Sequence, residues 1–215
     1  MLTSLEALFR RCGPIPWPRW AHRRLAPFVL VALPPLAPPA AGARSTPAVP
    51  PTAEVCVLAP WVEAGGNGRA RARVPLSRPT IFVREPLQQV RLQQGGRLLW
   101  QRHVEPSRSL VGPIAWPLPP LHPDQRLQML VQPRDAASTA FATIEIQAAP
   151  AATLRRNDAR LAALGGNPEA WRAAVARALE ERDPALATAL LFAFEGPSAP
   201  ELDELRREAF LRSCP

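Results

Sequence analysis

The chain has 215 residues, 28 of them Pro, and a formal charge of +8 carried by Arg alone, since it contains no Lys. Its Arg residues are spread along the sequence and interleaved with acids, whereas a phosphate-binding surface needs clustering, so a nucleic-acid partner is excluded. The abundance of Ala, Pro and Arg, with no Tyr, is the imprint of GC-rich coding rather than of a ligand.

The first element is a leader. Arg10, Arg11, Arg19, Arg23 and Arg24 stand against a single acid, Glu6, and precede the apolar run from Leu25 to Leu33. Nine helical residues rise about 13 Å, short of the ~30 Å hydrocarbon core of a bilayer. The Pro34-Pro35-Leu36-Ala37-Pro38-Pro39 stretch cannot extend that helix, because proline lacks the amide donor and clashes with the preceding turn. Ala41-Gly42-Ala43 then supplies small residues at the −3 and −1 positions of a cleavage site. Residues 1–43 are therefore expected to be a signal peptide of the general secretion route, since the surroundings of Arg23-Arg24 fit a twin-arginine signal poorly. The expected location is periplasmic or extracellular, with no membrane span after cleavage. Removing the leader takes the formal charge from +8 to +4.

Residues 44–53 are too Pro-rich for regular structure and are expected to be an extended linker. From 54 to 148 the chain breaks into short Val-, Leu- and Ile-rich segments, punctuated by Gly and Pro every 8–12 residues. That spacing predicts an antiparallel, immunoglobulin- or fibronectin-like β-sandwich. The expected strands are 54–58, 72–76, 80–83, 88–93, 97–104, 110–116, 126–132 and 140–147. Val90 and Leu92 alternate with Gln89, Arg91 and Gln93, which predicts one apolar and one wet face. Gly95-Gly96 suits the positive φ of a tight hairpin between two of these strands.

After residue 148 the period changes, and 149–215 is expected to be a small helical tail, giving an α+β chain overall. A first helix is expected over 152–164, ended by Gly165-Gly166. Asn167-Pro168-Glu169 places an Asx cap and then Pro at the first helical position, before a helix over 170–182. Asp183-Pro184 repeats the device before 185–194, and Gly196-Pro197 stops that helix. Ser198-Ala199-Pro200-Glu201 is a capping box that opens 202–212. Leu186, Leu190, Leu191 and Phe194 share one helical face, as do Leu202, Leu205, Ala209 and Phe210.

Several features now recur in a familiar order. Pro79-Thr80-Ile81-Phe82-Val83-Arg84-Glu85-Pro86 leads into an alternating strand, Gly95-Gly96 and Arg97-Leu98-Leu99-Trp100-Gln101. Leu118-Pro119-Pro120-Leu121 and Val131-Gln132-Pro133 follow. With the leader, Cys56 and the helical tail, the chain resembles a cyanobacterial family of secreted proteins of unknown function. The resemblance covers roughly 54 to 214 and implies an immunoglobulin-like sandwich with C-terminal helices. It supplies no catalytic residues, and the Tyr and second sandwich Cys expected of the family are absent here.

Chemistry-bearing patterns are few. Cys56 and Cys214 are the two cysteines outside the leader, and in an oxidising compartment a lone pair is most simply a disulfide. His103-x-Glu105 and His122-x-Asp124 place metal-capable side chains two apart, yet a zinc site needs three or four protein ligands, so no metal is expected. Gly65-Gly66-Asn67-Gly68 does not follow a strand and open a helix, so no cofactor cradle is expected. Trp100 is assigned to the core. Trp61, and Trp116 with Pro117, Pro119 and Pro120, are the candidates for a partner-binding ridge, weighed against a Pro-protected sandwich edge.

The expected function is a non-enzymatic binding or interaction module of the cell envelope, with an envelope protein or glycan as partner. One alternative is an envelope-polymer hydrolase using carboxylates such as Glu85 or Glu105, which needs a pair of acids flanking the bond. The other is a structural assembly protein whose helices act as short repeats.

Overall fold

The computed structural model describes residues 55–64, 70–196 and 199–212, so the expected leader, the expected linker and the Gly65–Gly68 segment lie outside the described residues. Among the described residues there are eight strands and four helices, an α+β arrangement. The strands are β1 Val57–Ala59, β2 Val62–Ala64, β3 Ala70–Val74, β4 Phe82–Val83, β5 Leu87–Gln94, β6 Arg97–His103, β7 Arg126–Pro133 and β8 Ala142–Ala148. The helices are α1 Ala151–Leu164, α2 Pro168–Glu180, α3 Pro184–Ala193 and α4 Pro200–Arg212.

Six strands form one sheet in the order β2-β3-β8-β7-β5-β6, and β1 pairs with β4 in a two-stranded sheet of its own. The β5–β6 hairpin turns at Gly95 and Gly96, whose φ angles of 55° and 80° explain the choice of glycine. The main sheet is mixed rather than wholly antiparallel, because β3 and β8 run parallel. The segment 110–116 is not a strand. Its backbone pairs only through isolated bridges, Leu87 with Leu110 and Ile81 with Ile114. Gly112 at φ 82° breaks its ladder, and so does Pro113, which has no amide hydrogen.

Alternation along the strands sorts side chains to two sides. Val74, Val90, Leu92, Met129, Val131, Ile144 and Ile146 point inward and are at most 2 % exposed. Leu110, Ile114, Trp116 and Leu121 cover them from the irregular segment, and Leu154 covers them from α1. Burying one such aliphatic side chain is worth roughly 1.5–3 kcal/mol, so this layer dominates the stability of the β body.

A second core lies among the helices, formed by Trp171, Val175, Leu186, Leu190, Phe192, Phe194 and Leu202 with Cys56 and Leu58 of the β1 region. The small sheet separates the two cores. Val55, Val57 and Val83 pack on the first, while Cys56, Leu58 and Phe82 pack on the second, as a two-residue period requires.

Two helix starts, those of α2 and α3, follow their caps. Asn167 Oδ1 accepts the Glu169 amide at 3.0 Å, and Asp183 Oδ1 accepts the Leu186 amide at 2.9 Å. Ser198 of the expected capping box lies outside the described residues. Asn157 and Asp158 fix α1 to the exit of β3, Asn157 Nδ2 donating to the Pro75 carbonyl at 3.1 Å and Asp158 Oδ1 accepting the Ser77 amide at 3.0 Å.

Candidate functional site

Two surfaces combine chemistry with order. The first is the outer face of the six-stranded sheet, built by the residues that alternate with the inward aliphatics. Strand register aligns Leu98, Gln93, Gln128, Glu145, Arg71 and Glu63 in one row that crosses all six strands. Five interstrand spacings make this stripe about 24 Å long. Its members hold one another. Gln93 Nε2 donates to Gln128 Oε1 at 3.1 Å, and Arg71 Nε lies 3.3 Å from Glu145 Oε2.

A parallel row contains Gln101, Arg91, Leu130 and Thr143. Arg91 donates to Gln89 Oε1 at 3.1 Å and lies with its guanidinium carbon 4.6 Å from the Phe141 ring centre. The segment after β7 closes over this end of the face, where Gln132 Nε2 donates to the Ala137 carbonyl at 2.9 Å and Gln89 and Gln132 become buried. The stripe from Gln93 to Arg71 stays accessible. Its amides, guanidinium and carboxylates offer both donors and acceptors, with orientations set by cross-strand partners.

The second surface is a cavity of about 260 Å³ between β4 and helices α3 and α4. Phe82, Phe192, Phe194 and Phe210 line it, with Arg206 and Arg207 on α4. Phe82 stacks on Phe192 at 4.8 Å between ring centres and 20° between planes. Phe194 meets Trp171 edge-on at 5.3 Å. Arg206 caps the end of α3. Its Nε donates to the Leu191 carbonyl at 3.0 Å and its Nη2 to the Phe194 carbonyl at 2.7 Å, satisfying acceptors that a helix end leaves without partners. Its Nη1 donates to Asp203 at 3.3 Å. Arg84 lies 5.0 Å from the centre of the Phe210 ring, close to the same cavity.

The residues singled out in the sequence scatter over the molecule. Trp116 is buried, and its Nε1 donates to the Pro119 carbonyl at 3.0 Å, so the indole faces inward and leaves exposed Pro119 and Pro120 without an aromatic partner on the surface. Trp61 is half-buried between β1 and β2. Trp100, assigned to the core, is only half-buried, because β6 is an edge strand; it packs against the core from the side. The Glu85 carboxylate accepts the Cys56 amide at 2.8 Å, a structural use, while Glu105 is exposed just past β6. Among the described residues, no three His, Cys, Asp or Glu side chains gather in a metal-holding group. Cys56 is buried, and Cys214 lies outside the described residues.

Sequence reasoning missed the aromatic cavity. Its rings come from positions 82, 192, 194 and 210, with no local pattern to join them. The outer stripe was half visible, since the alternation around Gln89 to Gln93 announced a wet face but not the strands that extend it.

No protein-family model, no curated protein and no solved structure matches the chain. Among the described residues, no helix is long and apolar enough to cross a membrane.

Proposed function

We propose that this chain is an exported, non-enzymatic binding module of the cell envelope that holds a glycan on the outer face of its main sheet. The observation that carries this reading is the row from Leu98 to Glu63 across six strands, polar in all but its first member. A glycan chain presents hydroxyls that both donate and accept, which matches fixed Gln amides beside Arg and Glu better than it matches a surface of one charge. Side chains already oriented by Gln93–Gln128 and Arg71–Glu145 lose little freedom on binding.

The β body serves as an immunoglobulin-like scaffold in this reading, supported by two sheets around one core and qualified by the parallel β3–β8 pair. Export is supported by the leader pattern, and a Cys56–Cys214 disulfide is part of the same proposal. Arg84 connects the two regions, since its amide donates to the Cys56 carbonyl at 2.9 Å and its side chain lies over Phe210, four positions before Cys214.

Co-sedimentation of the purified protein with insoluble peptidoglycan and envelope polysaccharide tests the binding. The wild type is expected in the pellet, and a Gln93→Ala/Gln128→Ala variant should be depleted from it at least several-fold. Equal sedimentation of both proteins, or a wild type that stays in the supernatant, overturns the reading. Retention on an envelope protein fraction instead of on glycan would replace the ligand class.

A further inference from the structure

The aromatic cavity is separate from the sheet face, and its composition points to a different ligand. Residues 1–43 hold two of the chain's seven Phe; of the five that follow, four converge on this one cavity, drawn from a β-strand, two helices and the C-cap of α3. Rings set this way line a half-open, mostly apolar hollow. Arg206 and Arg207 line the opening, each beside an acid of α4, Asp203 and Glu204, and the Arg84 guanidinium lies over Phe210.

Arg206 is the decisive group. Bonds to the Leu191 carbonyl, the Phe194 carbonyl and Asp203 use three of its five N–H donors and fix its plane. A guanidinium held still at the mouth of an apolar cavity presents its remaining donors without an ordering cost. Arg206 sits 5.8 Å from the Phe194 ring centre, where the aromatic face favours the cation. Arg207 pairs with Glu204 on the exposed side of α4, so one carboxylate already competes for the rim.

We infer that this cavity binds a small amphiphile with an apolar body and a single carboxylate, the body among the four Phe rings and the carboxylate against Arg206 and Arg207. At about 260 Å³ the space lies just below the roughly 300–1,000 Å³ of drug-sized sites, which selects a short chain or one ring rather than a two-tailed lipid. A neutral ligand would offer the remaining Arg206 donors no charged acceptor, and a quaternary ammonium would offer them no acceptor at all.

Titration of the full secreted chain with octanoate, octanol and octyltrimethylammonium, followed by calorimetry, tests the inference. Octanoate is expected to bind, octanol at least tenfold more weakly, and octyltrimethylammonium not at all. Two exposed positions give variants that spare the cores. Pro113→Trp, at the lip, should block octanoate, and Arg207→Glu should weaken it at least threefold. Glu204→Gln, which frees Arg207, should strengthen it. Octanol binding as tightly as octanoate, indifference to both Pro113→Trp and Arg207→Glu, or no octanoate binding at millimolar concentration would overturn it. Binding to glycan does not enter this test, so either proposal can fail alone.

Discussion

Asn157 in α1 donates its side-chain amide to the carbonyl of Pro75, 82 positions earlier, across a 3.1 Å bond that is fully buried. Asn157 itself is 1 % exposed, and its Oδ1 has no partner within the protein among the described residues. The bond therefore fixes the first helix to the exit of β3 where water cannot compete.

Replacing this side chain should cost more than an ordinary surface change. Asn157→Ala leaves the Pro75 carbonyl buried without a donor, a loss of about 1–3 kcal/mol. Urea unfolding followed by far-ultraviolet dichroism should show the lower midpoint with an unchanged slope. Asp158→Ala, which removes the neighbouring bond to the Ser77 amide, should lower the midpoint by a smaller step.

Gly196 has a steric reason to be glycine. A Cβ placed there would stand inside any permitted contact with Cζ of Phe194. Gly196→Ala must therefore displace the Phe194 ring from its edge-on packing against Trp171, at a cost of about 1–3 kcal/mol. The near-ultraviolet dichroism of the indole should change in the same variant. Octanoate affinity should fall with it, because the ring lines the cavity.

Trp116 separates a core role from a surface role. Trp116→Phe keeps most of the packing but gives up the bond to the Pro119 carbonyl, so about 1 kcal/mol of stability should be lost. Trp116→Ala should cost about 3–5 kcal/mol. Neither variant should alter retention on glycan under folding conditions; a selective loss of binding with full stability would return Trp116 to a partner-facing role.

Cys214→Ser tests the proposed disulfide. Closing a loop between positions 56 and 214 stabilises by roughly 5 kcal/mol on the chain-entropy model. The variant should melt well below the wild type. A reducing agent should lower the wild type to the same temperature and leave the variant unmoved.

Much of the secondary structure was legible from short-range signals. Gly95-Gly96 marked the β5–β6 hairpin, and Asn167-Pro168 and Asp183-Pro184 marked two helix starts, because each device acts through neighbouring backbone groups. The segment 110–116 misled the reading. Leu110, Ile114 and Trp116 are buried like strand residues, but Gly112 and Pro113 deny them a ladder. Three-residue β2 was too short to register, and nothing near β3 or β8 announces that they run parallel. The two candidate surfaces share that difficulty. Both are assembled by register and helix packing from positions far apart, so their residue types could be read but not their meeting.

The thin β1–β4 wall also decides what can be cut away. Trimming the chain after residue 148 would turn Cys56, Leu58 and Phe82 from an internal partition into an outside skin. Such a fragment should come out of expression sticky and self-associating, with the helices acting less as a tail than as the cladding that keeps the β portion dispersed.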